Sequence, residues 1–334
     1  MPDIVVIGDI NVDVIFTIPA YPLPGNEALA SSVQLHGGGS AVNTAIALAN
    51  MDMNVGFIGR VGKDPLANQV LDDLKNAGVD CSQVQVDPSV NTGMIFIAVT
   101  EDGERTMFGA RGANSFTQTA EIDPGYFNSC RWIHLSSYSF LAHHQYETVL
   151  AALDIAENSL YTRVSMDIGT EPAVRAKSRI LELLPRIDVI LPNETEVILM
   201  GQGQSLHESL DNLLKQTSST AIVTKRGSKG SLLAVGDKRI EFPAFDVQTK
   251  DTTGAGDNFN AGVVLGRLVG LSWEASTALG NALGGLATTR TGAAAAFLNR
   301  NDVARLIDQH LFAQEWAPMR IALEELTAYF EGVL

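Results

Sequence analysis

The sequence predicts an α/β protein of three-layer α/β/α build, with a mostly parallel sheet between helices and a small β-sheet lid. Three observations lead there. Strand-like apolar runs alternate with helical periods along most of the chain, the pattern of repeated βα units. Two β-rich patches, residues 14–36 and 92–110, break that alternation and read as strands of one small sheet standing off the main body. The polar residues that stand out fall just after strands, where a parallel sheet holds its ligands.

Taken in order, Asp3 to Asp9 is a buried strand that enters Gly8-Asp9-Ile10-Asn11-Val12-Asp13. No Gly-x-Gly-x-x-Gly follows it, which demotes a nicotinamide-dependent dehydrogenase. Asn11 and Asp13 share one face of an extended chain, and an amide beside a carboxylate can hold two neighbouring sugar hydroxyls. An Asx-turn fits that spacing equally well. Val14 to Ile18 and Ala28 to Leu35 read as strands parted by Pro19, Pro22, Pro24 and Gly25. Thr92 to Thr100 and Glu104 to Ala110 read as two more, around the turn Glu101-Asp102-Gly103. The lid segments are therefore placed at 12–36 and 91–111, closing over the site.

His36-Gly37-Gly38-Gly39-Ser40-Ala41-Val42-Asn43 opens an apolar helix. Its glycines let a ligand approach the backbone, with Asn43 in reach to bond it; a flexible joint is the plainer reading. Strand and helix then alternate: Val55 to Gly59, Pro65 to Ala77, Arg131 to Leu135, His144 to Asn158, and Val164 to Asp167. A helix opened by Thr170 and Pro172 and a strand at Asp188 to Leu191 continue the series.

Asn193 and Glu196 follow that strand, three apart on one helical face, a spacing suited to a hydrated Mg²⁺ and phosphate oxygens. A capped helix with solvated glutamates explains the same residues. Ala221 to Lys225 is a strand running into a turn through Gly227 and Gly230, and Lys225 is a candidate phosphate contact or a surface lysine. No P-loop occurs anywhere in the chain. The small-residue helix Asn281 to Thr289 suits a flat base with Asn281 at its edge, or close helix packing. Residues 1–310 are read as one domain, and 311–334 as an amphipathic helical extension docked on its surface.

The most informative stretch is Asp251-Thr252-Thr253-Gly254-Ala255-Gly256-Asp257-Asn258-Phe259-Asn260-Ala261-Gly262. Gly254, Ala255 and Gly256 leave the first N–H groups of a buried helix open to a ligand, which makes an anion site at the positive end of the helix dipole. Asp257 beside that site is costly unless it works there. A general base that takes a hydroxyl proton while the N–H groups hold a transferring phosphoryl group accounts for both. An N-cap and a close-packing turn is the structural alternative.

These residues resemble the C-terminal signature of the ribokinase/PfkB family of carbohydrate and nucleoside kinases. His36 to Asn43 is similar to its N-terminal signature, and Asn193 to Glu196 looks like its Asn-x-x-Glu motif. The resemblance spans roughly residues 3 to 305 and implies a ribokinase-like fold and ATP-dependent phosphorylation of a hydroxymethyl group. It makes Asp257 the base and the Gly254–Gly256 run the anion hole. Gly38, Gly39 and Asn43, with Asn11 and Asp13, would hold the sugar, and Asn193, Glu196, Lys225, Gly227 and Asn281 would hold ATP and Mg²⁺. In ribokinases the loop matching Arg290 to Ala296, with Asp251 and Thr253, holds a monovalent cation, so K⁺ is expected by resemblance. Ser40 stands where some members carry a basic residue.

The substrate is left open. Asn11-x-Asp13 favours ribokinase-like or nucleoside-like substrates, yet Ser136 and Ser137 stand where many ribokinases are acidic. Arg111 could answer a carboxylate or phosphate, as in ketodeoxygluconate or sugar-phosphate kinases, or be a surface arginine. A non-catalytic sugar or nucleotide sensor is the alternative class. The net charge of −15 argues against nucleic acid, and an anionic ligand must then be held by local donors. Cys81 and Cys130 have no partner spacing, no histidine falls in a metal pattern, and Gly-x-Ser-x-Gly and His-Glu-x-x-His are absent. No run reaches membrane-spanning length and the start lacks a leader pattern, so a cytoplasmic protein is expected. Exposed β-edges of the lid suggest a homodimer.

Overall fold

Strand β1 (Ile4–Ile7) is apolar at every position because both of its faces are covered. Ile4 and Val6 join one hydrophobic cluster, and Val5 and Ile7 join the other. That alternation divides the protein into three layers. A computed structural model describes residues 1–102, 104–217, 220–290 and 298–333.

The main sheet has nine strands. Its order from one edge is β13 (Lys238–Phe242), β12 (Ser231–Val235), β11 (Ala221–Lys225), β10 (Val189–Leu191), β9 (Arg163–Asp167), β8 (Trp132–Ser136), β1, β4 (Val55–Gly62) and β5 (Asp80–Asp87). All pairings are parallel from β11 to β5, and the β12–β13 hairpin adds an antiparallel edge. Helices α1 (Ser40–Ala49), α2 (Pro65–Asn76), α8 (Ala255–Leu268), α9 (Trp273–Ala287), α10 (Arg300–His310) and α11 (Arg320–Phe330) pack on one face. On the other lie α3 (His143–Glu157), α4 (Thr170–Arg175), α5 (Lys177–Leu183), α6 (Glu194–Gly201) and α7 (Leu206–Leu214).

The second sheet has the order β3 (Ser32–Gly38), β2 (Asn11–Ile18), β6 (Gly93–Thr100), β7 (Arg105–Ala110). The two β-rich patches therefore do build one small sheet. Its register sets Leu35, Val14, Phe96 and Phe108 in one row across all four strands. With a side-chain period of two, Asp13 and Arg105 belong to the opposite face.

Three differences from the sequence reading have physical causes. Residues 28–31 are not strand; pairing begins where Ser31 N–H bonds Thr17 O at 2.8 Å, and β3 runs on to Gly38. Strand β5 escaped notice because it is an edge strand whose buried residues include the polar Gln85 and Asp87, both bonded to Arg60. The C-terminal segment is tied in more deeply than a surface helix: Trp316 is 0% exposed and stacks on Phe245 with ring centroids 4.3 Å apart. Among the described residues no helix is long and apolar enough to cross a membrane.

Candidate active site

The site is built around the first turn of α8. Gly254 takes φ 74°, the left-handed conformation glycine tolerates, and caps the helix without a side chain. Ala255 N–H closes a turn on Thr252 O at 3.2 Å, and Asn258 N–H bonds Gly254 O at 3.0 Å. Gly256 lies between them on the wall of a cavity of about 660 Å³, a size that fits a nucleotide. The nearest atoms a Cβ on Gly256 would meet are Lys225 Cδ and Nζ, at 3.7 and 3.8 Å, so an ammonium lies across this turn.

Asp257 is fixed from the side by α1. Asn43 Nδ2 donates to Asp257 Oδ2 at 2.8 Å, and Thr44 Oγ1 donates to the Asp257 carbonyl at 3.3 Å. Burial, then the charge of Asp167, pushes the Asp257 carboxyl up to about 6; Asn43 and Lys225 pull the other way. Asp13 is likewise raised to about 6, by burial and by the Asp257 charge. Asn43 Oδ1 is buried with no partner among the described residues, which leaves an acceptor for a hydroxyl donor.

The small sheet and the loop into α1 form the side away from the cavity. A Cβ on Gly38 would lie 2.3 Å from Asp13 Cγ, so only glycine lets that carboxylate sit where it does. Gly39, at φ 107°, would bring a Cβ to 2.6 Å from Asp9 O. Asn11 Oδ1 accepts from Asn114 Nδ2 at 2.9 Å, and Asn114 is itself locked to Ile10 N and O at 2.8 and 3.0 Å. Gly38→Ala should therefore displace Asp13 and raise the KM for the acceptor about tenfold or more, with the KM for the phosphoryl donor little changed. Initial-rate kinetics on the two substrates separately check this. Arg111 does not face open space. Its Nε and Nη2 bond Asp9 at 3.1 and 2.8 Å, and Nη2 also contacts the buried Gln145.

Lys225, Gly227, Ala255, Gly256 and Asn281 line the one cavity, together with Phe245, Val247 and Phe259. Lys225 Nζ donates to Asp167 Oδ1 at 2.7 Å and to Asn260 Oδ1 at 3.1 Å, and Ser40 Oγ donates to Asp167 Oδ2 at 2.8 Å. Lys225 is raised and Asp167 lowered by their mutual attraction, against the burial that opposes both charges. Asn281 Nδ2 bonds Pro243 O at 3.0 Å. Asn193 and Glu196 form a reciprocal capping box, with Glu196 N to Asn193 Oδ1 at 2.9 Å and Asn193 N to Glu196 Oε2 at 2.8 Å. Thr170 Oγ1 donates to the other Glu196 oxygen at 3.0 Å, and the side chain is 4% exposed as a residue. Both carboxylate oxygens of Glu196 thus already accept a hydrogen bond. Burial raises Glu196 to about 7.

Asp251 and Thr253 are brought together, but by another partner. Thr253 N and Oγ1 donate to Asp251 Oδ1 at 3.0 and 2.7 Å, and the guanidinium of Arg105 reaches both residues. A positive group thus already stands on the side chain of Asp251, one of the two described residues besides Arg290 that are expected beside K⁺. The expected contribution of the loop after Arg290, residues 291–296, lies outside the described residues.

The model of the pfkB family carbohydrate kinases matches residues 1–300. The chain belongs to that family. An ATP-dependent ribose-1-phosphate kinase of Halopiger xanaduensis is 30% identical over 289 residues, covering 86% of this chain and 93% of that protein. A ribokinase of Haemophilus influenzae is 29% identical over 311 residues, covering 91% and 97%. The fold matches a putative ribokinase II of E. coli, solved in complex with ATP and Mg²⁺, with TM-score 0.81 and 21% identity over 93% of this chain and all of that one.

Several residues of this PfkB kinase site were not singled out from the sequence. Asp167 was legible only as the last residue of a strand, and a carboxylate at a strand's C-terminal end is itself a signal. Asn114 and Gln145 gave none: one lies in a 3₁₀ turn and the other on a helix face that reads as polar surface. Arg105 belongs to a strand of exposed residues and is linked to Asp251 across 146 positions.

Proposed function

We propose that this PfkB kinase transfers the γ-phosphoryl group of ATP to the hydroxymethyl group of a small, uncharged sugar, with Asp257 as general base. The observation that carries the reading is Asp257 itself: a half-buried carboxylate, held by Asn43, in the first turn of α8 beside the glycine-lined cavity. ATP would fill that cavity, its base against Phe245, Val247 and Asn281 and its phosphates toward Lys225 and Gly256. Mg²⁺, when bound, would neutralise phosphate charge, and Asn193 and Glu196 would reach it through water. Asn11, Asp13, Gly38, Gly39 and Asn43 would orient the sugar. A base whose carboxyl titrates near 6 is ionised at neutral pH and still basic enough to accept a hydroxyl proton as the new O–P bond forms. Gly256 N–H and Lys225 would hold the charge on the transferring group.

An uncharged acceptor is favoured because Arg111 spends its charge on Asp9. The relative named as a ribose-1-phosphate kinase supports a second reading, a phosphorylated ribose that draws Arg111 away. ADP release measured over ribose, ribose 1-phosphate, fructose, ketodeoxygluconate and adenosine separates the two. No turnover with any acceptor, despite ATP binding, would leave only a sensor. Pairing of two lids through Val33, Leu35, Phe96 and Phe108, all exposed on one face of the small sheet, is the proposed assembly. A monomer by light scattering at micromolar concentration would rule it out.

A further inference from the structure

Arg105 ties the small sheet to the loop that leads into the catalytic turn. It stands on β7, on the lid face that also carries Asp13, and its side chain crosses to the body of the protein. Nη2 donates to Asp251 Oδ1 at 2.8 Å and Nη1 donates to Thr253 Oγ1 at 2.7 Å. Thr253 Oγ1 in turn donates to Asp251 Oδ1 at 2.7 Å, so its hydroxyl donates once and accepts once. Carboxylate, hydroxyl and guanidinium bond one another just before Gly254. The Asp251 side chain is 11% exposed, and that of Arg105 is 37% exposed.

We propose that Arg105 is the resident cation of this loop. Its guanidinium takes the place on Asp251 that the family resemblance gives to K⁺, so that lid closure, not a bound metal ion, orders the chain from Asp251 into Gly256. The inference rests on the kinase reading above. Three features of the site support it. The Asp251 side chain is largely buried in a chain of net charge −15, and a counter-charge stabilises a carboxylate placed there. A guanidinium is charged at every working pH and its planar fork meets two acceptors at once. A metal ion on the same oxygen would set two positive charges in contact. Because this cation is covalently part of the lid, it reaches Asp251 only when the lid is down, which couples sugar enclosure to the geometry of the anion site.

The test compares wild type, Arg105→Gln and Arg105→Lys in K⁺-free buffer and with about 0.1 M K⁺, ionic strength being held with tetramethylammonium chloride. The wild type and R105K should change by less than about twofold on adding K⁺, and R105Q should lose about tenfold or more in kcat and regain most of it with K⁺. A second readout needs no turnover: the melting temperature of R105Q should rise with K⁺ over tetramethylammonium, and that of the wild type should not. A wild type that needs K⁺, an R105Q as active as wild type without it, or a loss that K⁺ does not restore would each overturn the proposal. None of these outcomes touches the kinase reading, which fails only if the wild type phosphorylates no acceptor in either buffer.

Discussion

Asp257→Asn is expected to lower kcat by about 10²–10⁴-fold while leaving ATP affinity within about threefold of wild type. The amide keeps an oxygen to accept from Asn43 Nδ2, so the first turn of α8 should hold its shape. What is lost is the group that takes the hydroxyl proton. The same substitution should stabilise the protein at neutral pH. Folding lifts this carboxyl from its ordinary 3.8 to about 6, so the native state binds the proton more tightly than the unfolded chain. Stability gained from that proton is present below 3.8 and lost as pH rises through about 6. Above pH 6 the ionised carboxylate therefore costs stability, roughly 1–3 kcal/mol, and Asn removes the cost. Thermal melts of both proteins should coincide near pH 4 and separate toward pH 7, with the variant higher. An inactive variant that is also less stable at pH 7 would point to a structural role instead.

Lys225→Met should have the second largest effect. Lys225 is the partner of Asp167 at 2.7 Å, and Asp167 is buried beneath the cavity. Removing the cation leaves a buried carboxylate with Ser40 as its remaining side-chain donor among the described residues, a loss of about 3–5 kcal/mol if it stays charged. Asp167 escapes part of that by taking up a proton, so the loss should shrink as pH falls. The KM for ATP should rise about 30-fold or more, since a charge-assisted contact to phosphate goes with it. Lys225 also pulls Asp257 and Glu196 down, so both should titrate at higher pH in the variant. Lys225→Arg keeps the charge and should keep most of the fold's stability. Calorimetry with ATP and melts at pH 5 and 7 separate the binding loss from the folding loss.

The sequence carried the fold well where burial is two-sided. β1 and β10 are apolar at every position because helices cover both faces. It was weak at the edges. β5 and β13, the two edge strands, face solvent in part, and their polar residues dilute the periodic signal. At the site, residues that act through backbone were legible as glycine: Gly38 and Gly254 stand where a side chain would collide or the backbone would be strained. Asn193 and Glu196 were legible as a pair, and their spacing serves a capping box as readily as a metal, which is what their hydrogen bonds display. The contacts that needed the fold were those between distant segments. Arg105 to Asp251, Arg111 to Asp9 and Lys225 to Asp167 each join elements that no local period connects.

The most direct measurement is the pH dependence of kcat/KM in wild type and in D257N, with the best acceptor from the panel. A proton-accepting carboxylate half-buried near Asp13 predicts that wild-type kcat/KM falls tenfold per pH unit below about 6. In D257N the residual rate should lose that limb or show it at lower pH, because Asp13 no longer feels a neighbouring charge. An identical limb in the two proteins, or a wild-type rate flat from pH 5 to 8, would contradict the role given to Asp257.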